Sequence, residues 1–173
     1  ESADAHLILW LGSSIGNLER DDAVQFIRDI RDEMQPEDRL LIGIDLRKDR
    51  ITLEDAYDDP SGITAQFNKN LLTRINRELD GEFDLDSFRH RVAYKEESGR
   101  VEIFLVSDKA QNVEIQALDL TVSFEADETI HTENCYKYSP EEIDALARAT
   151  GLRLDGQWFD RKERFSVNLF AVD

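Results

Sequence analysis

Residues 7–18 read LILWLGSSIGNL, and the order of residue types in this stretch decides the fold. Five consecutive apolar residues, Leu7 to Leu11, run into the small and polar turn GSSIGN. An uninterrupted apolar run bounded by glycine is typical of a strand buried on both faces of a parallel sheet. Ligands of open α/β sheets bind beyond the carboxyl ends of such strands. The stretch therefore predicts a buried strand that ends either in a binding turn or in a plain strand-to-helix turn.

A helix and a second strand follow this turn. Asp21 is expected to cap the helix, and Pro36 is expected to end it. Its apolar residues recur at helical spacing at Ala23, Ile27, Ile30 and Met34. RLLIGIDL, residues 39–46, repeats the buried-strand pattern. A strand, a helix and a strand in so few residues indicate a parallel crossover, the building unit of doubly wound sheets.

The apolar period changes in the middle of the chain. A helix is predicted for Ile63–Leu79, because apolar residues fall four apart on one face at Phe67, Leu71, Ile75 and Leu79. HRVAYKEESGRVEIFLVS, residues 90–107, then alternates as a hairpin does, with Gly99 in its turn. Residues 118–133 alternate in the same way, with one face formed by Leu118, Leu120, Val122 and Phe124.

The last third begins with a well-marked helix. Ser139 and Glu142 form a capping box, Pro140 is at the first helical position, and Gly151 is placed for a left-handed C-cap. Two strands, roughly Leu152 to Phe159 and Phe165 to Val172, end the sequence. The whole pattern predicts an α/β fold.

Composition narrows the function classes. The 173 residues carry 38 acidic against 21 basic side chains, a formal net charge of −17, which disfavours nucleic acid and anionic membrane surfaces as partners. The single cysteine, Cys135, excludes an internal disulfide framework. No signal peptide or long apolar run is recognisable. These features predict a soluble cytoplasmic protein.

Two further stretches contain candidate site residues. In AYDDPSGITAQFN, residues 56–68, Asp58 and Asp59 are expected to cap the coming helix, and Tyr57 is an aromatic residue in a polar loop. In TIHTENCYKY, residues 129–138, His131, Glu133 and Cys135 share one side of a strand.

A metal site at these three strand residues is not expected, because ligands two apart on one strand do not easily converge on one ion. A surface histidine and a small buried thiol account for His131 and Cys135. Glu133 differs from both, since a carboxylate among strand residues requires a partner or a cationic or N–H-bearing ligand.

LGSSIGNL, AYDDPSGITAQFNKNLL and IHTENCYKYS, with NRELDGEFDLDSF between the last two, closely resemble the S-adenosylmethionine (SAM)-dependent histidine Nα-methyltransferases of ergothioneine biosynthesis. The resemblance spans nearly the whole chain. It implies the C-terminal part of a class I methyltransferase Rossmann-like sheet with an inserted β-rich substrate-binding region. Residues 1–59 and 139–173 would belong to the Rossmann core, and residues 60–138 would bind the substrate.

The resemblance also implies roles for individual residues. Asn17 would hold the α-amino and carboxylate groups of histidine, and Gly12 and Ser14 would line the same pocket. Tyr57 would hydrogen-bond the carboxylate and is a possible proton relay, and Glu133 would accept an imidazole N–H. The physics is consistent, because an amino acid with an N–H-bearing side chain is bound well by one carboxylate and a few fixed donors.

Two positions depart from the family pattern. Cys135 stands where the family usually has a serine, and Ile103 stands where some members have a methionine on the pocket wall. A different amino-acid substrate therefore stays open, as does a non-catalytic amino-acid-binding or interaction module.

The reaction that the resemblance implies is displacement at the methyl carbon of SAM by the neutral α-amine of L-histidine, repeated until the nitrogen is trimethylated. The glycine-rich loop and the ribose-binding acid of methyltransferases are not found in the sequence. We therefore expect a fragment that lacks most of the cofactor site and is inactive by itself, and no cofactor-binding residue is assigned.

Overall fold

The computed structural model describes residues 5–173, which form the mixed α/β fold that the sequence predicts. The helices are α1 Arg20–Glu33, α2 Arg50–Tyr57, α3 Ile63–Leu79 and α4 Pro140–Ala149. The strands are β1 Leu7–Trp10, β2 Arg39–Asp45, β3 Phe88–Lys95, β4 Arg100–Ser107, β5 Gln111–Ile115, β6 Leu120–Phe124, β7 Thr129–Tyr136, β8 Leu152–Phe159 and β9 Phe165–Val172.

The chain divides into two compact units. Unit 1 contains the described residues through Lys48 together with Glu96–Arg100 and Asn134–Asp173, and unit 2 contains Asp49–Lys95 and Val101–Glu133. Each unit has its own apolar core. The functional division at residues 59 and 138 stays a prediction.

Unit 1 is built on a four-stranded sheet in the order β1-β2-β9-β8. β1 and β2 are parallel, with Leu7 opposite Arg39, as expected for a strand-helix-strand unit. β9 is antiparallel to both β2 and β8. The core of the unit includes Ile27 of α1, Ile42 of β2, Ile143 of α4 and Phe170 of β9, none of which has any exposed surface.

The prediction that β1 is buried on both faces is wrong for the described chain. The side chains of Leu7, Leu9 and Leu11 are 58, 56 and 55% exposed, while Ile8 and Trp10 pack against the core. Among residues 5–173, β1 pairs only with β2 and has no covering element on its odd-numbered face. The apolar run therefore predicted the strand correctly but not its burial.

The helix boundaries also correct one expectation. Glu19, not Asp21, is at the N-cap of α1, and its side chain makes no capping bond. Asp21 lies in the first turn, where a carboxylate stabilises the positive end of the helix dipole. α4 has the predicted capping box of Ser139 and Glu142, with Pro140 in its first turn. Gly151, just after α4, has a φ of 71°, as a left-handed C-cap requires.

Unit 2 combines α2 and α3 with β-structure. The strand orders are β3-β4-β7 and β5-β6, and the last three residues of β7 belong to unit 1. The core is aromatic: the rings of Phe88 and Phe124 meet edge-to-face with centroids 5.4 Å apart, and Phe83 packs on both. Leu72 of α3 and Leu105 of β4 are fully buried among them.

Three details of unit 2 differ from the sequence prediction. α2 and β5 were not predicted, and Tyr57 is the last residue of α2 and not part of a polar loop. Leu118 lies in a short 3₁₀ turn, and Leu118 and Leu120 are 55 and 46% exposed instead of sharing a buried face with Phe124. α2 has no apolar stripe that would reveal it in the sequence, because Leu53 is its one buried residue and Ile51 is 71% exposed.

Candidate functional site

A cavity of about 500 Å³ lies within unit 2. Its walls come from the end of α2, one face of α3, and the strands β4 and β7. Cavities of this size are typical of small-molecule sites. The lining residues are Tyr57, Thr64, Phe67, Asn68, Asn70, Leu71, Arg74, Ile103, Thr132 and Glu133.

The α3 wall consists of side chains at helical spacing. Thr64, Phe67, Leu71 and Arg74 are three or four positions apart and therefore lie on one face of the helix. Phe67 is 71% exposed and Leu71 is 43% exposed, whereas Leu72, one position on, is fully buried. The apolar face predicted from sequence thus divides: Ile75 and Leu79 pack on the unit 2 core, and Phe67 and Leu71 line the cavity.

Glu133 supplies the only carboxylate of this lining. Its main-chain carbonyl is 3.1 Å from His131 Nε2, but its carboxylate makes no hydrogen bond or ion pair with any residue between 5 and 173. Arg74, at the same cavity, is held by Glu78 at 2.8 Å, and this hydrogen bond raises the pKa of the arginine. The carboxylate of Glu133 therefore has no protein counter-ion in the described chain.

α2, whose last residue is Tyr57, is attached to β3 at several points along its length. Arg50 Nη2 donates to the carbonyl of Tyr94 at 3.3 Å, and Glu54 Oε1 accepts from the amide N–H of Tyr94 at 3.2 Å. At the other end of the helix, His90 Nε2 is 2.8 Å from the carbonyl oxygen of Tyr57. These contacts fix the helix along the strand and so fix the backbone of Tyr57.

The start of α3 is stabilised by Asp59, as the sequence predicts. Its carboxylate accepts from the main-chain N–H of Ile63 at 3.1 Å and of Thr64 at 2.8 Å, and also from the Ser61 hydroxyl. The hydrogen bond from Ser61 and those from Thr64 and Ile63 lower the pKa of this carboxyl well below its usual range. Asp58 caps the C-terminus of α2 instead of beginning α3.

The turn after β1 lies in unit 1. Gly12 and Ser13 have φ angles of 78° and 59°, so the chain reverses through two left-handed residues. The Ser13 hydroxyl accepts from the main-chain N–H of Asp45 at 2.8 Å, and the Ser14 hydroxyl accepts from Trp10 Nε1 at 2.6 Å. Asn17 is exposed, and its side-chain amide makes no hydrogen bond within residues 5–173.

Gly16 places this turn against the end of β7. A Cβ atom on Gly16 would lie 2.7 Å from the carbonyl oxygen of Tyr136 and 3.2 Å from Cys135 Sγ. A contact of 2.7 Å to a backbone oxygen is too short for a real Cβ atom, so only glycine fits. The requirement for glycine here is a close approach of two backbones and not a special φ angle.

Cys135 is buried in unit 1 with a lysine beside it. Lys137 Nζ, on a side chain only 1% exposed, is 3.1 Å from Cys135 Sγ and 2.8 Å from Asp45 Oδ2. Lys48 forms a second ion pair with Asp45. The carboxylate at the end of β2 is therefore occupied by two ammonium groups.

The structure brings three of the seven predicted site residues to one cavity: Tyr57, Ile103 and Glu133. The other four, Gly12, Ser14, Asn17 and Cys135, belong to unit 1. Sequence analysis missed Asn68, which lines the cavity although it is only 8% exposed, and His90 behind it. No sequence signal marks either residue, because periodicity does not reveal which polar residues of a helix are buried.

Residues 5–173 hold no cluster of potential metal ligands, since no three His, Cys, Asp or Glu side chains are grouped closely enough there to hold a metal ion. None of the helices in that range combines the length and the apolar character that crossing a membrane requires.

Comparison with known proteins identifies relatives. Residues 1–172 match the family described as "Histidine-specific methyltransferase, SAM-dependent". The chain is 44% identical over 165 residues to the histidine N-alpha-methyltransferase of Mycobacterium tuberculosis, and 42% identical over 163 residues to that of Mycolicibacterium smegmatis. It is 35% identical over 168 residues to ergothioneine biosynthesis protein 1 of Neurospora crassa.

These alignments cover most of this chain but only part of each relative. They include 95, 94 and 95% of the chain, against 51, 51 and 18% of the three relatives. The chain thus spans about half the length of the two bacterial relatives.

Proposed function

The chain belongs to the family of SAM-dependent, histidine-specific methyltransferases, and from this premise we propose that it binds the amino acid in an enzyme that methylates the α-amino group of L-histidine. The product would be the trimethylated betaine, an intermediate of ergothioneine biosynthesis. The observation that carries the proposal is the unit 2 cavity, whose apolar walls surround one unpartnered carboxylate, that of Glu133.

Glu133 would accept the imidazole N–H of the substrate. A carboxylate without a protein partner is a favourable acceptor, because a hydrogen bond from a ligand N–H replaces the water that it loses on binding. Ile103 and Phe67 would pack against the imidazole ring, and Tyr57 would hydrogen-bond the substrate carboxylate. The roles of Gly12, Ser14 and Asn17 toward the substrate backbone, and of Cys135, are also proposals.

SAM supplies the methyl group in this family. The described residues do not fit a complete SAM site, because neither the glycine-rich loop nor the ribose-binding acid of methyltransferases is found in the sequence, and Asp45, the carboxylate at the end of β2, is already paired with Lys48 and Lys137. We therefore assign no residue of this chain to the cofactor. The contribution of the chain is to orient the amino acid so that the lone pair of its neutral amine faces the methyl donor, which is an effect of alignment.

The test is methyl transfer to a panel of amino acids by the full-length protein that carries this sequence, with products detected by mass. Glu133→Gln removes the charge and keeps the shape. We expect kcat/KM for histidine to fall about 10- to 100-fold, as for loss of a hydrogen bond to a charged group, while apolar amino acids gain in relative terms.

Glu114→Gln is the matched control, since Glu114 is an exposed glutamate of β5 in the same unit and does not line the cavity. It should leave the selectivity unchanged. If the wild-type protein ignores histidine but methylates an apolar amino acid, and Glu133→Gln does not alter that selectivity, the imidazole-binding role is wrong. Methylation of no amino acid at all would favour a binding module.

A further inference from the structure

Asn68 is a buried amide at the cavity wall with both of its N–H groups directed at the protein. Its side-chain nitrogen, Nδ2, donates to the carbonyl oxygen of Phe104 on β4 at 3.2 Å. The same nitrogen is 3.0 Å from His90 Nδ1 on β3. An amide NH₂ has two hydrogens, so these two contacts use its full donor capacity.

The partners of His90 determine its tautomer. Nε2 faces the carbonyl oxygen of Tyr57 at 2.8 Å, and since a carbonyl only accepts, Nε2 carries the proton. Nδ1 faces the Asn68 NH₂ group, which only donates, so Nδ1 is unprotonated. The ring is therefore neutral, and one imidazole connects the last carbonyl of α2 to the amide of α3.

This arrangement prevents the Asn68 amide from flipping. A flipped amide would place its oxygen against the carbonyl of Phe104 and the lone pair of His90 Nδ1, which is two acceptor–acceptor contacts. The Asn68 side-chain oxygen, Oδ1, is then the remaining polar atom. This oxygen makes no hydrogen bond with any residue between 5 and 173, and Asn68 lines the cavity.

We infer that Asn68 Oδ1 is a further substrate-binding acceptor, which takes an N–H of the bound amino acid, and that His90 is the positioning residue that keeps this oxygen available to the cavity. The inference rests on the proposed function, because it names a second acceptor in the same cavity as Glu133. The N–H comes either from the imidazole or from the α-ammonium group, and the ligand series below separates the two.

The tautomer is tested without any substrate. In a long-range ¹H–¹⁵N spectrum of the full-length protein at neutral pH, His90 should show a protonated Nε2 and an unprotonated Nδ1. A charged ring or the opposite tautomer would overturn the role of His90.

Binding is tested with three ligands: histidine, phenylalanine, which offers only its α-ammonium N–H, and imidazole-4-propionate, which offers only its ring N–H. Asn68→Ala should weaken histidine about 3- to 10-fold, together with only one of the two analogues, and that analogue identifies the group bound. Asn76→Ala is the control, because Asn76 also makes two hydrogen bonds from α3, to the backbone of Phe83, but does not line the cavity. It should lower Tm and leave all three affinities unchanged.

His90 variants separate positioning from bulk packing. His90→Leu should weaken histidine by a similar factor, because one of the two contacts that hold the Asn68 amide in its orientation is lost. His90→Asn, whose side-chain oxygen can occupy the place of Nδ1, should restore most of the affinity. If Asn68→Ala affects both analogues alike or neither, or if His90→Asn is as weak as His90→Leu, the inference is wrong. Failure of the wild-type protein to bind histidine would overturn the proposed function as well, whereas wild-type binding that is indifferent to Asn68 overturns the inference alone.

Discussion

Asn17→Ala tests whether the turn after β1 binds a ligand or only reverses the chain. The Asn17 amide is exposed and makes no hydrogen bond within residues 5–173, so its removal should change the free energy of unfolding by less than about 0.5 kcal/mol. If the amide holds the backbone of the substrate, binding leaves a ligand group unpaired in the variant. We expect the free energy of histidine binding to weaken by about 1 to 3 kcal/mol.

Gly16→Ala gives the opposite pattern in the same turn. The new methyl group would stand 2.7 Å from the main-chain oxygen of Tyr136, and a backbone carbonyl in a paired strand cannot move aside easily. Overpacking of this kind costs about 1 to 3 kcal/mol. The two neighbouring positions therefore separate an effect on binding from an effect on stability.

The assays are urea unfolding and calorimetric titration with histidine, both on the full-length protein that carries this sequence. Asn112→Ala is the control, because Asn112 is an exposed residue of β5 whose side chain makes no hydrogen bond with residues 5–173. A loss of more than about 1 kcal/mol of stability in Asn17→Ala, with histidine affinity in the folded protein unchanged, would refute the binding role and leave a structural turn.

Two further predictions concern the start of α3 and the binding of SAM. Asp59→Ala should lower Tm at pH 7, because the carboxylate of Asp59 caps α3. Hydrogen bonds hold the pKa of Asp59 below its ordinary value. The stabilisation of the fold by this carboxylate is therefore present above about pH 4 and is lost as the pH falls below that. Thermal melts across pH check this, with Asp58→Ala as control; a difference in Tm that grows in acid would contradict it. The 173-residue chain by itself should bind SAM too weakly for calorimetry, since the glycine-rich loop and the ribose-binding acid of methyltransferases are not found in its sequence. A protein of the length of its relatives should bind SAM. Tight binding by the short chain would show that the cofactor site lies within these residues.

Much of the backbone was predictable because its signals are local. The bounds of α3, β8 and β9 agree with the prediction. Helical spacing marks α3, Gly151 marks the start of β8, and alternation marks the strands, and each of these signals acts over a few residues. α2 escaped prediction because only Leu53 of its eight residues is buried, so it has no apolar stripe to recognise. The exposure of β1 could not be foreseen either, because burial depends on what lies beside a strand and not on its own composition.

The cavity was predictable only in part, because its contacts join distant segments. Family resemblance named Tyr57, Ile103 and Glu133, but the link from Asn68 to His90 spans 22 positions and that from His90 to Tyr57 spans 33. Neither residue has a motif of its own. Asn68 looks like any polar residue of a helix, and its burial appears only when β3 and β4 pack behind it.

The cavity itself conflicts with what stabilises a fold, and this conflict favours a ligand site over accidental space. Phe67 exposes most of its surface, although one position away Asn68 is buried, which is the reverse of the usual distribution. Glu133 keeps a charge beside apolar walls without a protein counter-ion in residues 5–173. Local rules are broken in this way mainly at functional sites, where the ligand supplies the missing contacts. A ligand with a flat ring for Phe67 and an N–H for Glu133 would satisfy both residues at once, and a histidine side chain has both features.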